Sequence, residues 1–79
     1  MKNAKKVFGA RLRELRRRAG FRSGAQLARR LNVDEARYNN WERGVAVPHL
    51  VLVFPALCKE LSVSPNEFLD ALDKHPETN

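Results

Sequence analysis

Cysteine, histidine and glycine are scarce in this chain, whose 79 residues include one cysteine, two histidines and four glycines. A single cysteine cannot form a disulfide within the chain, so Cys58 suits a reducing, cytoplasmic environment. Neither Cys58 nor the histidines have partners at metal-ligand spacing, and no glycine-rich phosphate loop is present. We therefore predict no metal, no cofactor, no small-molecule site and no enzymatic activity, and we expect Cys58 to be a plain core thiol.

Long apolar runs are also absent. The most apolar region, residues 45–58, is interrupted by Pro48, His49 and Pro55 and is shorter than the roughly 18–20 residues of a membrane span. The basic N-terminus reaches Arg11 before any long apolar run, so we expect no secretory signal. A chain of this length predicts a single domain over residues 1–79, with a core of marginal size.

Acidic residues are rare in the first part of the chain. Residues 1–30 hold eleven of the fifteen lysines and arginines but only one acid, Glu14, whereas residues 31–79 hold four bases and eight acids. A basic part beside an acidic remainder favours a polyanion as partner. The alternative is that the arginines of residues 11–18 are simply a solvated helix surface. A membrane surface is disfavoured because the basic face lacks a large apolar partner face.

Helical patterns fill most of the chain, and strand patterns are absent, which predicts an all-α fold of five helices. The first helix is expected over about Lys5–Ala19, with Gly20 as its stop. Its apolar face is formed by Phe8, Leu12, Leu15 and Ala19. The fourth is expected to start between Val51 and Phe54, with buried side chains at Leu52, Val53, Phe54, Leu57, Cys58 and Leu61. The fifth begins at a Ser64-Pro65 capping box and buries Phe68, Leu69 and Leu72. The ordered core is expected over about residues 5–73, between a flexible basic N-terminal arm (lysines 2, 5 and 6) and a tail, Lys74–Asn79.

Residues 23–43 predict two short helices joined by a tight turn. Ser23 and Gln26 form a capping box before the first of them. Asn32 stands where a left-handed residue ends that helix. Asp34 is a typical N-cap for the next helix, which should end near Gly44. Two helices joined so closely form a helix-turn-helix, the unit that lays its second helix in a groove of DNA.

The second helix of this unit has an apolar and a polar side. Tyr38 and Trp41 share the apolar side, which must face the protein. The opposite side carries Ala36, Asn39, Asn40 and Arg43, with Glu35 and Arg37 on its flanks. An asparagine amide can pair with an adenine edge, and an alanine methyl can pack on a thymine methyl. Taken alone, such a side is also what any solvated helix presents.

Together these motifs resemble the lambda-repressor-like, or XRE-type, helix-turn-helix family. Four sequence runs typical of that family have counterparts here, at residues 11–20, 27–33, 41–48 and 61–68. In that order, the family's runs are Arg-Leu-Arg-x-Leu-Arg-x-x-x-Gly, Leu-Ala-x-x-Leu-x-Val, Trp-Glu-x-Gly-x-x-x-Pro and a closing Leu-x-Val-x-x-x-x-Leu. The resemblance covers about residues 7–72 and implies a five-helix DNA-binding fold. It also implies a structural ion pair between Arg16 and Glu42.

Three positions depart from the family's pattern. Gly24 stands where members usually carry a glutamine that contacts a phosphate. One extra residue, best assigned to Arg22, lies in the preceding turn, and Asn32 replaces a common glycine. The amides at the start of that helix still point outward as an anion site, and Arg22 is a candidate for the missing side-chain contact.

The resemblance and the residues together predict a sequence-specific, dimeric regulator of repressor type that binds a palindromic operator on double-stranded DNA. Expected base contacts are Ala36, Asn39 and Asn40, with Arg37 and Glu35 at the groove margin, and expected phosphate contacts are Arg22, Ser23, Gly24 and Arg43. Candidate dimer surfaces are Val45, Val47, Leu50, Val51, Val53 and Phe54 on one side, and Leu69 and Leu72 on another. The alternatives are the antitoxin or protein-interaction half of a toxin–antitoxin pair, and sequence-neutral RNA binding, for which no aromatic stacking platform is present.

Overall fold

Five helices follow one another in the computed structural model, which describes the backbone of residues 3–73 and the side chains of residues 3–70. They are α1 (Ala4–Arg18), α2 (Gly24–Leu31), α3 (Glu35–Arg43), α4 (Phe54–Leu61) and α5 (Asn66–Asp73). The all-α prediction is confirmed, and the described residues form no strand. Lys2, the tail Lys74–Asn79 and the side chain of Leu72 lie outside the described residues. None of the described helices is both long and apolar enough to cross a membrane.

Local side-chain caps start the first three helices. Asn3 Oδ1 accepts from the amides of Lys5 and Lys6 at the start of α1. Ser23 Oγ accepts from the Gln26 amide at 3.3 Å. Gln26 Oε1 in turn accepts from the amide of Arg22 at 2.7 Å, one residue earlier than a standard capping box would place it. This bond folds the extra turn residue against the start of α2.

Left-handed residues end the helices where the chain must reverse. Asn32 ends α2 with φ 57°, as predicted, and Ser62 ends α4 in the same way. Gly20 (φ 95°) and Gly44 (φ 80°) follow α1 and α3. A glycine tolerates this conformation without cost from a Cβ, and asparagine tolerates it better than most side chains. Asp34 caps α3 through the amides of Ala36 and Arg37, so the turn between α2 and α3 is closed at both ends.

A single core joins the helices. Its buried members are Phe8, Leu12, Leu15, Leu27, Ala28, Tyr38, Trp41, Leu57, Cys58, Leu61 and Phe68. Helix α1 is central and packs against α3 and α5, whereas α2 packs against α3 and α4. The helix-turn-helix is therefore held from behind by α1 and α4, which leaves one side of α3 free.

Three positions that were predicted on the buried apolar faces of helices are exposed or half-exposed instead. Ala19 is the C-cap of α1 and not part of its buried face, because the helix ends one residue earlier at Arg18. Leu52 is 75% exposed, because α4 begins only at Phe54. Leu69 is likewise half-exposed on α5. Before α4 a separate turn forms, in which His49 Nδ1 accepts from the amides of Val51 and Leu52.

Candidate nucleic-acid interface

The free side of α3 carries the residues that were predicted to contact bases. Ala36 and Asn39 are exposed there, and Glu35, Arg37 and Arg43 are exposed around them. Tyr38 and Trp41 point the other way and are 0% and 2% exposed. Their rings meet edge to face with centroids 5.5 Å apart. The two aromatic rings thus fix the rotation of α3 and determine which side chains face outward.

Asn40 differs from its neighbours because it is half-buried. Its Oδ1 accepts from Arg43 Nη1 at 3.4 Å, and its backbone oxygen accepts from the amides of Val45 and Ala46. The side-chain oxygen thus accepts one long hydrogen bond, while the side-chain NH₂ group can donate to an acceptor on a base edge. The same contacts tie the loop after α3 to the end of the helix.

The start of α2 lies beside α3 through an unusually close contact. A Cβ placed on Gly24 would come within 2.7 Å of Tyr38 Cε2 and 3.3 Å of Asn39 Oδ1. The ring cannot move aside because Tyr38 is fully buried and its hydroxyl donates to Glu42 Oε2 at 2.6 Å. Packing therefore accounts for glycine at this position, where the family usually has a glutamine.

The groups that were predicted to contact phosphates are exposed or lie at a helix start. The first amides of a helix lack intrahelical acceptors and carry partial positive charge, which attracts an anion. The Ser23 hydroxyl accepts from Gln26 and retains its own proton as a donor. Arg22 is exposed next to it, and Arg43 is exposed on α3. These groups border the free side of α3, so one surface combines polar base-contact candidates with phosphate donors.

Behind α3 lies a buried charged network. Arg16, only 6% exposed, donates from Nε to Glu42 Oε2 at 2.7 Å and from Nη1 to the Phe21 oxygen at 3.0 Å. Arg13 Nε lies 3.4 Å from the other carboxylate oxygen. Together with Tyr38, the two arginines connect α1 to α3 and, through Phe21, to the turn before α2.

The pKa values in this network follow from its contacts. Burial raises the pKa of the Glu42 carboxyl, but the hydrogen bonds from Arg16 and Tyr38 together lower it by more than burial raises it. The pKa of Glu42 therefore lies below its ordinary value. Burial and the adjacent carboxylate of Glu42 raise the pKa of Tyr38 far above its ordinary value. Glu42 is thus an anion and Tyr38 a neutral hydrogen-bond donor at physiological pH. The network is structural, because its buried members do not reach the outer face of α3.

Two glycines allow α1 to approach α3 at backbone distance. A Cβ on Gly9 would lie 2.5 Å from the carbonyl oxygens of Trp41 and Glu42. A Cβ on Gly44 would lie 2.6 Å from Lys6 Cγ. Helix α1 therefore sets the position of the C-terminal end of α3. No local pattern indicates the Gly9 contact, since a glycine within a helix pattern does not identify its neighbour.

A second surface, away from α3, is apolar. Phe8, Phe54 and Phe68 pack together, with the rings of Phe8 and Phe68 stacked at 4.8 Å. They form the floor of a groove of about 210 Å³ that is flanked by Val47, Leu50, Leu69 and Lys5. We call it the phenylalanine groove. Val47, Leu50 and Leu69 were predicted on two separate surfaces, whereas the fold brings them to this one groove.

Cys58 and His49, the remaining side chains considered for catalysis or metal binding, both lie in positions that serve the fold. Cys58 is 4% exposed, and burial raises the pKa of its thiol, which disfavours the reactive thiolate. His49 caps the turn before α4 through Nδ1. Within residues 3–73 no cluster of three or more potential metal ligands occurs.

Residues 7–71 match the family model described as a helix-turn-helix domain. The match includes all of α2 and α3 and extends over most of the chain. A comparison with curated proteins gives no significant match, and neither does a comparison with solved structures. The family match agrees with the helix-turn-helix predicted from residues 23–43.

Proposed function

This chain belongs to the helix-turn-helix domain family, and on that premise we propose that it is a sequence-specific, repressor-type regulator that binds a palindromic DNA operator as a dimer. The observation that carries the proposal is the outer surface of α3, which is polar and exposed while the ring pair Tyr38–Trp41 and the Arg16–Glu42 ion pair hold the helix from behind. A helix held this way can enter the major groove without rearranging the core. The single buried thiol, Cys58, suits action in the cytoplasm.

Base recognition is assigned to the outer side of α3. Asn39 and Asn40 supply amides for adenine edges, and Ala36 supplies a methyl for thymine. Arg37 and Glu35 lie at the margin, where contact depends on how deeply the helix enters the groove. Asn40 donates through its NH₂, because its oxygen is shared with Arg43.

Phosphate contacts are assigned to two sides of α3. Arg22, Ser23 and the amide of Gly24 bind one strand at the start of α2, and Arg43 binds from α3 itself. These contacts place the helix in register but do not distinguish sequences. They also make the affinity dependent on salt, because each neutralised phosphate releases counterions.

The decisive experiment is selection of bound duplexes from a random pool. We expect enrichment of a two-fold site whose half-sites are centred about 34–36 Å apart, one DNA turn. Asn40→Ala should relax the preference at one base-pair position and cost about 1–3 kcal/mol there, while the other positions serve as internal controls. A pool without enrichment would overturn the regulator, and an unchanged base preference in the variant would remove Asn40 from the contact set.

Dimerisation is proposed through the phenylalanine groove and the loop beside it. Leu50 and Val51 are 74% and 73% exposed, and Leu69 is 50% exposed; exposed apolar side chains grouped in this way mark interaction sites. Protruding Leu50 next to a concave apolar groove can be complementary to a second copy, as a two-fold interface requires. Leu50→Asp should therefore give monomers in sedimentation at micromolar concentration, whereas Ala56→Asp on exposed α4 surface should not. A wild-type protein that is monomeric both free and on a palindrome would exclude the dimer.

The alternative is an interaction module, such as the antitoxin of a toxin–antitoxin pair, with DNA binding secondary. The observation in its favour is the run Leu50-Val51-Leu52, in which every residue is more than 70% exposed. An enriched DNA site together with self-association favours the regulator. Absence of both favours the interaction module.

A further inference from the structure

The arginines of α1 divide into partnered and free groups. Arg11 and Arg18 each lie 2.9 Å from the Glu14 carboxylate, and Arg18 also lies 4.0 Å from Glu67. Arg16 is buried against Glu42. Arg17 is exposed and has no ion-pair partner among the described residues. The side chain of Arg13 is 50% exposed, so two guanidinium groups of this helix remain open to a further anion.

The charge of Arg13 is not required to neutralise Glu42. Glu42 already accepts from Arg16 at 2.7 Å and from the Tyr38 hydroxyl at 2.6 Å, and its single negative charge is balanced by the Arg16 guanidinium. Arg13 adds a third, longer contact of 3.4 Å through Nε. Its two terminal nitrogens are left with donors that match the geometry of a phosphate.

The ring of Tyr38 links the Arg13–Glu42 contact to the start of α2. The hydroxyl of Tyr38 contacts Glu42, which also contacts Arg13, while carbons Cε2 and Cδ2 of the same ring abut Gly24. One tyrosine ring therefore spans the distance from the Arg13–Glu42 contact to the first amide of α2. Arg17 is one turn further along α1, a rise of about 6 Å. The Phe21 oxygen bound by Arg16 ties that end of α1 to the turn that holds Arg22.

From this placement we infer that Arg13 and Arg17 bind consecutive phosphates of the DNA strand that borders the start of α2. The inference rests on the proposed function and extends it, because α1 then supplies a row of backbone contacts in addition to those from α2 and α3. In the complex that we propose, the row would lie beside α3, on the flank formed by the start of α2. The row does not distinguish base sequences, since it contacts the backbone only.

Arg17→Gln and Arg13→Gln test the row against Arg18→Gln, a matched control on the same helix whose guanidinium is paired with acids. The measurement is the equilibrium binding of one fixed duplex from 50 to 200 mM salt. Each row variant should flatten the slope of log K against log salt by about 0.9. Between 50 and 200 mM salt, the affinity of such a variant should therefore fall roughly three- to fourfold less than that of the wild type. The control should keep the wild-type slope, and Arg13→Lys, which retains the charge, should keep it as well.

Thermal unfolding of each variant separates binding from folding. Arg17 has an exposed side chain, so Arg17→Gln carries the test even if Arg13→Gln loosens α3. A steep wild-type slope that Arg17→Gln does not flatten, or that a fully folded Arg13→Gln does not flatten, overturns the α1 row and leaves the proposed function standing. An equal effect of Arg18→Gln also overturns the row, because net charge alone would then explain the change. A wild-type protein without salt-dependent duplex binding overturns both.

Discussion

Replacing Gly9 by alanine tests whether α1 determines where α3 lies. The new methyl would be 2.5 Å from the carbonyl oxygens of Trp41 and Glu42, roughly 1 Å inside the ordinary contact distance of about 3.5 Å. Both atoms belong to backbone, so no side chain can rotate to make room. The helices must separate instead, and overpacking of this kind costs about 1–3 kcal/mol.

Helix propensity acts in the opposite direction at the same position. Alanine is favoured over glycine within a helix by about 0.5–1 kcal/mol, so a Gly9 without close neighbours would give a more stable variant. Because the steric cost is the larger of the two, we expect Gly9→Ala to lower the free energy of unfolding by about 1–2 kcal/mol. Displacement of α3 should also weaken binding to a specific duplex more than binding to an unrelated one.

Urea unfolding monitored by circular dichroism measures the first effect. Ala10→Gly is the matched control, since Ala10 is the exposed neighbour on α1 and should show only the propensity cost of about 0.5–1 kcal/mol. A Gly9→Ala protein as stable as the wild type, or more stable, would refute the claim that this contact determines the position of α3.

Substitutions at three further positions examine the core, the network and the loop. Trp41→Ala should cost about 3–5 kcal/mol, seen as loss of the folded signal, and a folded variant that loses only DNA binding would mean that the rotation of α3 is wrong. Glu42→Gln should cost about 3 kcal/mol at neutral pH, because it leaves buried Arg16 without a carboxylate. The folded-state pKa of Glu42 is lowered, so its contribution is present above the unfolded value of about 4.3 and is lost as the pH falls below it. As the pH is lowered, the free energies of unfolding of the wild type and of Glu42→Gln should therefore converge, and a difference that stays constant would contradict this assignment. His49→Ala should cost about 1 kcal/mol because the amides of Val51 and Leu52 lose their shared acceptor, whereas His49→Asn, which can still accept, should cost less; equal effects would show that the cap is unimportant.

The ends of the helices were predictable because they depend on neighbours in the chain. Asn32, Asp34 and Gly44 act through backbone groups within a few residues, and the rotation of α3 followed from the spacing of Tyr38 and Trp41 alone. The helix-turn-helix followed from residues 23–43 themselves, and the family resemblance implied the five-helix DNA-binding fold. Periodicity, in contrast, extended α4 backward over Leu52, because a capped turn and a first helical turn place apolar residues at similar spacing.

Contacts between distant segments were not predictable in this way. The approach of Gly9 to the end of α3, and the meeting of Val47 with Leu69, depend on the angle at which helices cross. No local pattern encodes that angle. The cap at His49 was missed for a related reason, since histidine is not a typical capping residue.

The contact between Gly24 and Tyr38 has a consequence for how this surface can change over time. A side chain at position 24 would collide with a ring that is pinned by Glu42, so a glutamine cannot arise there first without disrupting the core. A smaller residue at position 38 would have to come before it, at the expense of a buried ring and its hydrogen bond. The two positions therefore change in a required order. Adaptation of phosphate binding is easier through residues outside that pair, such as Arg22, whose side chain is exposed and free to vary.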